Sequence, residues 1–489
     1  MTAFEPRGHG MTETRTPDRS WLTPRRAIYL LAGIMSLSFG YDLMRIPVQV
    51  SDTLVDLIYV QQSPSAWASF MSEVTTSAYL RPLRLAQVKV LFDLAQGHYW
   101  LVYRGSHVLL LAAALFLFVR ALDVRTWRDG AAGAFALTVF TGIQMFRGIV
   151  REGFPVNHFL VIVVYSLLAL NLARSKGGRW VDLAAVLVFV AASLTLESGL
   201  LVWVVVATAW ACGMRGISSR GVIAVTGCLA AYCCMRFLYL STGMPGLEER
   251  TSGFWLRVLE PEELIARFGA NPTWFYAYNV ATSFLSVPFA DPSEGVFQLV
   301  GSRLEGYVPP RLYVAVVSST ATTALIGWAV VRRFRRPTSA LHDADRQLLV
   351  MAGVVLIANS VVSFAYTRHE ILSVAGAFYA FAAFVTARCA INSWHASTRL
   401  TGAAMLMVLA MVATAWTFRT AGVHHMLRVQ AFNVRVDWAR LSPDLMRDMG
   451  SREERVAAAL VRHLRRDALE APVTNPYLLP RWADRWWGE

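Results

Sequence analysis

Charge is what this sequence has least of. Asp, Glu, Lys and Arg make up 16% of its 489 residues, against about a quarter in soluble proteins. The shortfall excludes an ordinary soluble fold, because the apolar residues gather in blocks long enough to cross a hydrocarbon core of roughly 30 Å. Cysteine is scarce as well. Cys212, Cys228, Cys233, Cys234 and Cys389 all fall within apolar blocks. None has a CxxC or Cys/His spacing, so they read as small core residues rather than metal ligands. No HxxH element is present, and no internal repeat of the kind transporters carry. A cleavable signal is missing too: about 26 polar residues precede the first apolar block, and no small-residue cleavage site follows it.

What is present is a series of apolar blocks, at roughly 27–44, 101–122, 131–149, 156–173, 181–196, 199–214, 221–240, 312–331, 347–366, 371–391 and 400–419. They predict an all-α polytopic membrane protein of about eleven transmembrane helices. The net charge of +13 does not require a nucleic acid, because the basic residues concentrate in alternate connections. Arg25/Arg26, Arg120/Arg125/Arg128, Arg174/Lys176/Arg179, Arg215/Arg220, Arg332/Arg333/Arg335/Arg336 and Arg388/Arg399 form one set. The intervening short connections hold Arg147 and Arg151, none near 197, and Arg368 alone. The rich set is therefore assigned to the cytoplasm.

This gives a cytoplasmic N-terminal segment (1–26), a membrane domain (27–420) with external loops 45–100 and 241–311, and an external tail (421–489). The bacterial inner membrane is the expected location. The tail reads as a helix over Ser451–Leu469 and a Trp482/Trp486/Trp487 segment suited to headgroups. The stretch Trp274–Phe289 is nearly apolar enough to be a twelfth span. Asn279, Pro288 and the downstream charges favour an interfacial or re-entrant segment.

The external connections collect the unusual chemistry. Asp52 and Asp56 lie one helical turn apart after the first span. Arg81-Pro82-Leu83-Arg84 then opens a surface helix, with Pro82 suited to its first position and Gly97 to its end. Further along come Arg147, Arg151 and Glu152, then Glu197 inside an apolar run, Asp291 and Glu294, and Tyr366-Thr367-Arg368-His369-Glu370. A carboxylate such as Glu197 among apolar residues needs a solvated edge or a buried partner.

This pattern resembles the GT-C superfamily of membrane glycosyltransferases, which includes protein O-mannosyltransferases and aminoarabinose transferases. Four places carry the resemblance. They are the acidic first loop at Asp52, and Arg81-Pro82-Leu83 leading through Gly97-His98-Tyr99 into the second span. The third is Leu196-Glu197-Ser198-Gly199, where relatives usually have Lys in place of Leu196. The last is Tyr278-Asn279 through Ala290-Asp291-Pro292 and Gly295. The resemblance implies a GT-C-like fold with external juxtamembrane helices, and transfer of a sugar from a polyprenyl-phosphate donor to a glycan, lipid or protein acceptor.

On that basis Asp52 is the expected base for the acceptor hydroxyl, with a helix N-cap as its competing role. Arg368, then Arg81 or Arg84, are expected to hold phosphate, while Arg81 is equally suited to snorkelling at the interface. Glu197 and Glu152 are expected to brace those arginines. His369 and His98 are suited to acid–base or metal roles, or to a hydrogen-bonded interface. Relatives often use a divalent ion, although no metal motif is visible here. Two other classes compete: a polysaccharide polymerase or ligase, and a transporter or flippase.

Overall fold

The computed structural model describes residues 22–50, 52–76, 79–152, 156–240, 246–269, 271–335, 343–394, 399–441, 452–471 and 486–487. The chain opens with α1 (Pro24–Leu43), capped by the Thr23 side chain and started by Pro24. Three short helices follow, α2 (Asp52–Gln62), α3 (Ala66–Thr76) and α4 (Pro82–Ala95), then α5 (Tyr99–Ala121), α6 (Trp127–Gly142) and α7 (Gln144–Arg151). Next come α8 (His158–Ala173), α9 (Arg179–Ser193), α10 (Leu201–Ala211) and α11 (Ser219–Cys233), the last continued by a π-helical turn, Cys234–Tyr239. A hairpin of β1 (Ser252–Phe254) and β2 (Arg257–Leu259) precedes α12 (Pro261–Phe268), α13 (Thr273–Phe289) and α14 (Gln298–Leu304). The remainder is α15 (Pro310–Arg335), α16 (Asp343–Val362), α17 (Ser373–Trp394), α18 (Arg399–Arg440) and α19 (Arg452–Glu470).

The protein is an all-α, multi-pass membrane protein. Among the described residues six helices are long and apolar enough to cross a bilayer: α5, α11 with its π turn, α15, α16, α17 and α18. The pair α6 and α7 makes a seventh if its 56° bend lies within one span, and α8 and Glu197–Ala211 are shorter apolar helices. The bend falls at Ile143, whose backbone is extended.

Helix α17 is the axis of the bundle, with 89% of its most apolar window buried. Its Ala375, Gly376, Ala377, Ala380, Ala383 and Ala387 are each at most 1% exposed or in tight contact. Small residues of this kind let helices approach closely where lipid removes any hydrophobic drive to associate. Phe381 stacks on Phe118 at 4.4 Å, which in turn stacks on Phe140 at 5.0 Å.

Polar contacts divide the helix ends into two groups. At one end Arg388 joins Asp129, Asp345 and the carbonyl of Asp123. Gly216 N donates to Ala173 O, Ser218 to Asp182, and Gln347 to Cys212 O there too. At the other end Leu83 N donates to Leu194 O, Trp438 Nε1 to Val48 O and His463 to Gly97 O. The connections separated by charge in the sequence thus meet their own kind.

Segment α13 and the connection after it both touch the loop between α16 and α17. Before its midpoint Asn279 Nδ2 donates to Phe364 O and Ala365 O, and just after it Ser293 Oγ meets His369 Nε2 at 2.9 Å. Both contacts are to the same short loop.

The tail differs from the expectation. The helix that carries the last expected span does not stop near 420, because α18 runs unbroken for 42 residues, about 63 Å at 1.5 Å per residue. That is twice the hydrocarbon thickness, and no proline interrupts it. Helix α19 folds back on α18 and α2, burying Leu460, Val461, Leu464 and Ala468. Trp486 and Trp487 pack on Phe418 of α18 at 5.4 and 4.9 Å rather than standing free for headgroups. Trp482 and most of segment 1–26 lie outside the described residues.

Candidate functional site

The site is built on a tight turn between α9 and α10. Leu196 is extended, and Glu197 opens a short 3-10 turn. A Cβ on Gly199 would stand 2.1 Å from Ala192 O, so only glycine lets this turn fold back onto the end of α9. That closeness fixes Glu197. The start of α4 is hung on the same turn by the bond from Leu83 N to Leu194 O and by Gln87 Nε2 donating to Thr195 Oγ1 at 3.2 Å. Arg81, preceding Pro82, is thereby aimed at Glu197.

The two make a forked ion pair. Arg81 Nε lies 2.9 and 2.8 Å from the carboxylate oxygens and Nη2 lies 2.6 Å from Oε2. Arg236 reaches the same carboxylate at 3.3 Å and donates to the Tyr232 hydroxyl at 3.2 Å. Arg236 stands on the π turn, a local insertion that is frequent at functional sites. The Tyr79 ring lies against both guanidiniums, at 4.5 Å from Arg81 and 5.9 Å from Arg236. Burial pushes the Glu197 carboxyl up, but Arg81 and Arg236 outweigh it and hold it below the usual range.

These residues form one wall of a cavity of about 420 Å³ that also holds Arg84, Glu152, His158, Arg250, Tyr366, Arg368 and Glu370. Such a volume suits a small-molecule headgroup. Arg84 is tied to Asp56 at 2.6 Å. Arg250 donates to the Tyr366 hydroxyl at 2.7 Å and lies 4.6 Å from that ring, with Arg368 5.9 Å from it. Neither Arg250 nor Arg368 pairs with a carboxylate among the described residues. The Tyr366 side of the cavity thus presents two guanidiniums outside any direct ion pair, with Glu370 on the same loop. Its remaining wall is apolar: Phe159, Leu196, Leu200, Val362, Phe364 and Ile371. Two more lining residues, Phe237 and Val361, are 49% and 53% exposed on the outer surface of their helices. The cavity thus opens on the same apolar surface that faces lipid.

Of the residues singled out in the sequence, Arg81, Arg84, Glu152, Glu197 and Arg368 share this cavity. The expectation that Glu197 braces an arginine agrees with the geometry. Arg81 differs from its phosphate-holding role in that its charge is already met by Glu197. His369 stands behind the wall, bonded to Ser293, and its imidazole is held well below the usual range, at about 4, by burial above all and by Arg147, Arg151 and Arg419 against Glu370. Asp52 begins α2, and its side chain lies outside the described residues. His98 precedes α5 and does not line the cavity. Asp291 accepts from Leu299 N at 3.4 Å, and burial raises its carboxyl.

The sequence reading did not name Arg236, Arg250 or His158 of the cavity, and it named Glu370 without giving it a role. An arginine inside the apolar block 221–240 was itself a signal. Arg250 offered none, since it sits in a long polar connection. No group of three or more His, Cys, Asp or Glu that could hold a metal occurs among the described residues. No protein-family model, no curated protein and no solved structure matches the chain.

Proposed function

We propose that this protein is an integral-membrane glycosyltransferase that takes a sugar from a polyprenyl-phosphate donor at the non-cytoplasmic face of the inner membrane. One observation carries the reading: a headgroup-sized cavity joins two arginines outside any direct ion pair, Arg250 and Arg368, to an apolar mouth at Phe237 and Val361. An anionic headgroup on a hydrocarbon tail matches both surfaces at once, the guanidiniums by charge-assisted bonds and the mouth by dispersion. In this reading the eleven apolar blocks are the spans, and the cavity end is external because the short connections of the opposite end are the basic ones.

Asp52 is the base we assign for the acceptor hydroxyl, on the resemblance to GT-C enzymes. Position 52 is one turn from Asp56 on α2, and Asp56 holds Arg84 of the cavity wall. Attack by the acceptor oxygen on the anomeric carbon expels the lipid phosphate, whose growing charge Arg250 and Arg368 are placed to meet.

The test uses the full chain in vesicles of phosphatidylethanolamine and phosphatidylglycerol. Wild type should bind undecaprenyl phosphate, and Arg250→Gln with Arg368→Gln should weaken binding about ten- to hundredfold, the worth of a lost charge-assisted bond. Asp52→Asn should leave binding intact and stop transfer from a polyprenyl-phosphate-linked sugar. No binding by wild type sinks the reading, and transfer near the wild-type rate removes Asp52 from the chemistry.

A further inference from the structure

Glu370 is set apart from the other carboxylates of the cavity. Glu197 is held by Arg81 and Arg236, and Glu152 has a partner of its own. Glu370 is 4% exposed and lines the cavity, and its Oε2 is buried with no hydrogen-bond partner among the described residues. Burying a carboxylate oxygen without a donor is unfavourable, so a fold that keeps one keeps it for something that donates.

The surroundings hold this group in place. Gly148 of α7 presses against it: a Cβ there would stand 3.0 Å from Glu370 Oε1 and 3.1 Å from the Cβ of His369. The backbone of the loop is fixed by Leu372 N donating to His369 O and Ser373 N to Glu370 O. Ser293 holds the neighbouring imidazole at 2.9 Å. The carboxylate is thus rigidly placed, with the hydrogen-bonding capacity of Oε2 unused.

We propose that Glu370 recognises a hydroxyl of the ligand's polar head. A carboxylate oxygen such as Glu370 Oε2 accepts hydrogen bonds, so what fills its empty position must donate. An ammonium group is disfavoured, because five arginines line the same cavity. A neutral hydroxyl remains, and a polyhydroxylated head beside an anionic phosphate is a glycosyl phosphate. Arg250 and Arg368 grip the phosphate, which the bare and the glycosylated carrier share. Glu370 tells the two apart. The inference rests on the proposed donor class and adds to it the residue that reads the sugar.

The experiment compares binding of undecaprenyl phosphate and undecaprenyl-phosphate-linked glucose to wild type and Glu370→Gln in the same vesicles. Wild type should prefer the glycosylated carrier. Glu370→Gln should cut that preference about tenfold or more, as for a lost bond to a charged acceptor, with bare-carrier affinity within about twofold. Glu370→Gln should also unfold at no lower temperature than wild type, because the replaced Oε2 makes no hydrogen bond that the change would break. A wild-type protein with no preference, or a variant that keeps it, overturns the role of Glu370. A variant that loses affinity for both carriers and unfolds at lower temperature shows a structural role and overturns it too. Absence of any carrier binding in wild type is a separate result, which sinks the donor class itself.

Discussion

Replacing Glu197 with Gln tests the keystone of the cavity wall. In the wild type one carboxylate serves Arg81 at 2.6 Å and Arg236 at 3.3 Å, with side-chain exposures of 20% for Glu197, 14% for Arg81 and 8% for Arg236. Glutamine keeps the shape but leaves two guanidiniums facing each other across Tyr79. Breaking a fully buried pair costs about 3–5 kcal/mol. Residual exposure screens part of it, which brings the expected loss to about 2–3 kcal/mol. For a chain of this size, at about 2.1 cal/mol/K of unfolding entropy per residue, that is a fall in Tm of about 2–3 °C, read by thermal unfolding in nanodiscs at pH 7.

Removing Arg236 as well should return part of the loss, because the second cation no longer lacks a counter-charge. The pH dependence has a definite sign. Glu197 is held below its ordinary value of 4.5, so its contribution is full above that pH and is lost only as the pH falls below it. An E197Q protein that melts within about 1 °C of wild type would refute the reasoning. A double variant less stable than the single one would do so as well.

Three further outcomes are expected. Asp42, 2% exposed, joins α1 to His424 at 2.7 Å and Arg428 at 3.2 Å on α18, and Asp42→Asn should lower stability by about 2–4 kcal/mol in denaturant unfolding. Gly199→Ala and Gly216→Ala should abolish folded yield, since each Cβ would stand within 2.2 Å of a carbonyl oxygen, whereas Gly105→Ala meets nothing within 4 Å and should be neutral or slightly stabilising. His369 is held at about 4 against an ordinary 6.5, so the unfolded chain takes up its proton first. Stability should therefore fall as the pH drops from 6.5 towards 4, by on the order of 1 kcal/mol per pH unit, and His369→Gln should flatten that slope in unfolding curves at pH 7 and pH 5.

Much of the molecule was legible because bilayer physics acts on local sequence. An apolar block becomes a helix whatever its neighbours, and Pro82 and Gly97 mark the ends of α4 through their own backbone limits. Glu197 was visible because a carboxylate in an apolar run has few places to go. Its partners were not, since Arg81 is 116 residues away and Arg236 is brought round by a π turn that no local pattern announces. The pair Arg250 and Tyr366, also 116 residues apart, is a product of the hairpin docking. Gly253 sits so close to Glu294 that a Cβ would stand 2.2 Å from its carbonyl oxygen. The overlong α18 was missed for a different reason. Hydropathy measures where apolar residues stop, and the helix continues beyond that point on the packing of Val423, Leu427, Ala431 and Trp438.

The path of α13 decides whether the late charges can share a site with the early ones. Had Thr273–Phe289 crossed to the opposite end, Arg368 and Glu370 would stand a membrane away from Arg81. Asn279 within the segment and Ser293 beyond it instead bind the same loop, and a single cavity holds Arg81, Glu197, Arg250 and Arg368. The proposed orientation of that end rests on the short connections, of which those at the opposite end are the richer in Lys and Arg. The state of the charges differs as well. At the cavity end Arg81, Arg84, Arg236 and Arg428 are taken up by Glu197, Asp56 and Asp42. At the opposite end Arg120, Arg128, Lys176, Arg179, Arg215 and Arg220 are exposed. On the proposal that the short connections rich in Lys and Arg are the cytoplasmic ones, the opposite end faces the cytoplasm and the cavity lies outside it. Single cysteines placed at 220 and at 368 in a cysteine-free chain should then react with a membrane-impermeant maleimide in intact spheroplasts only at 368.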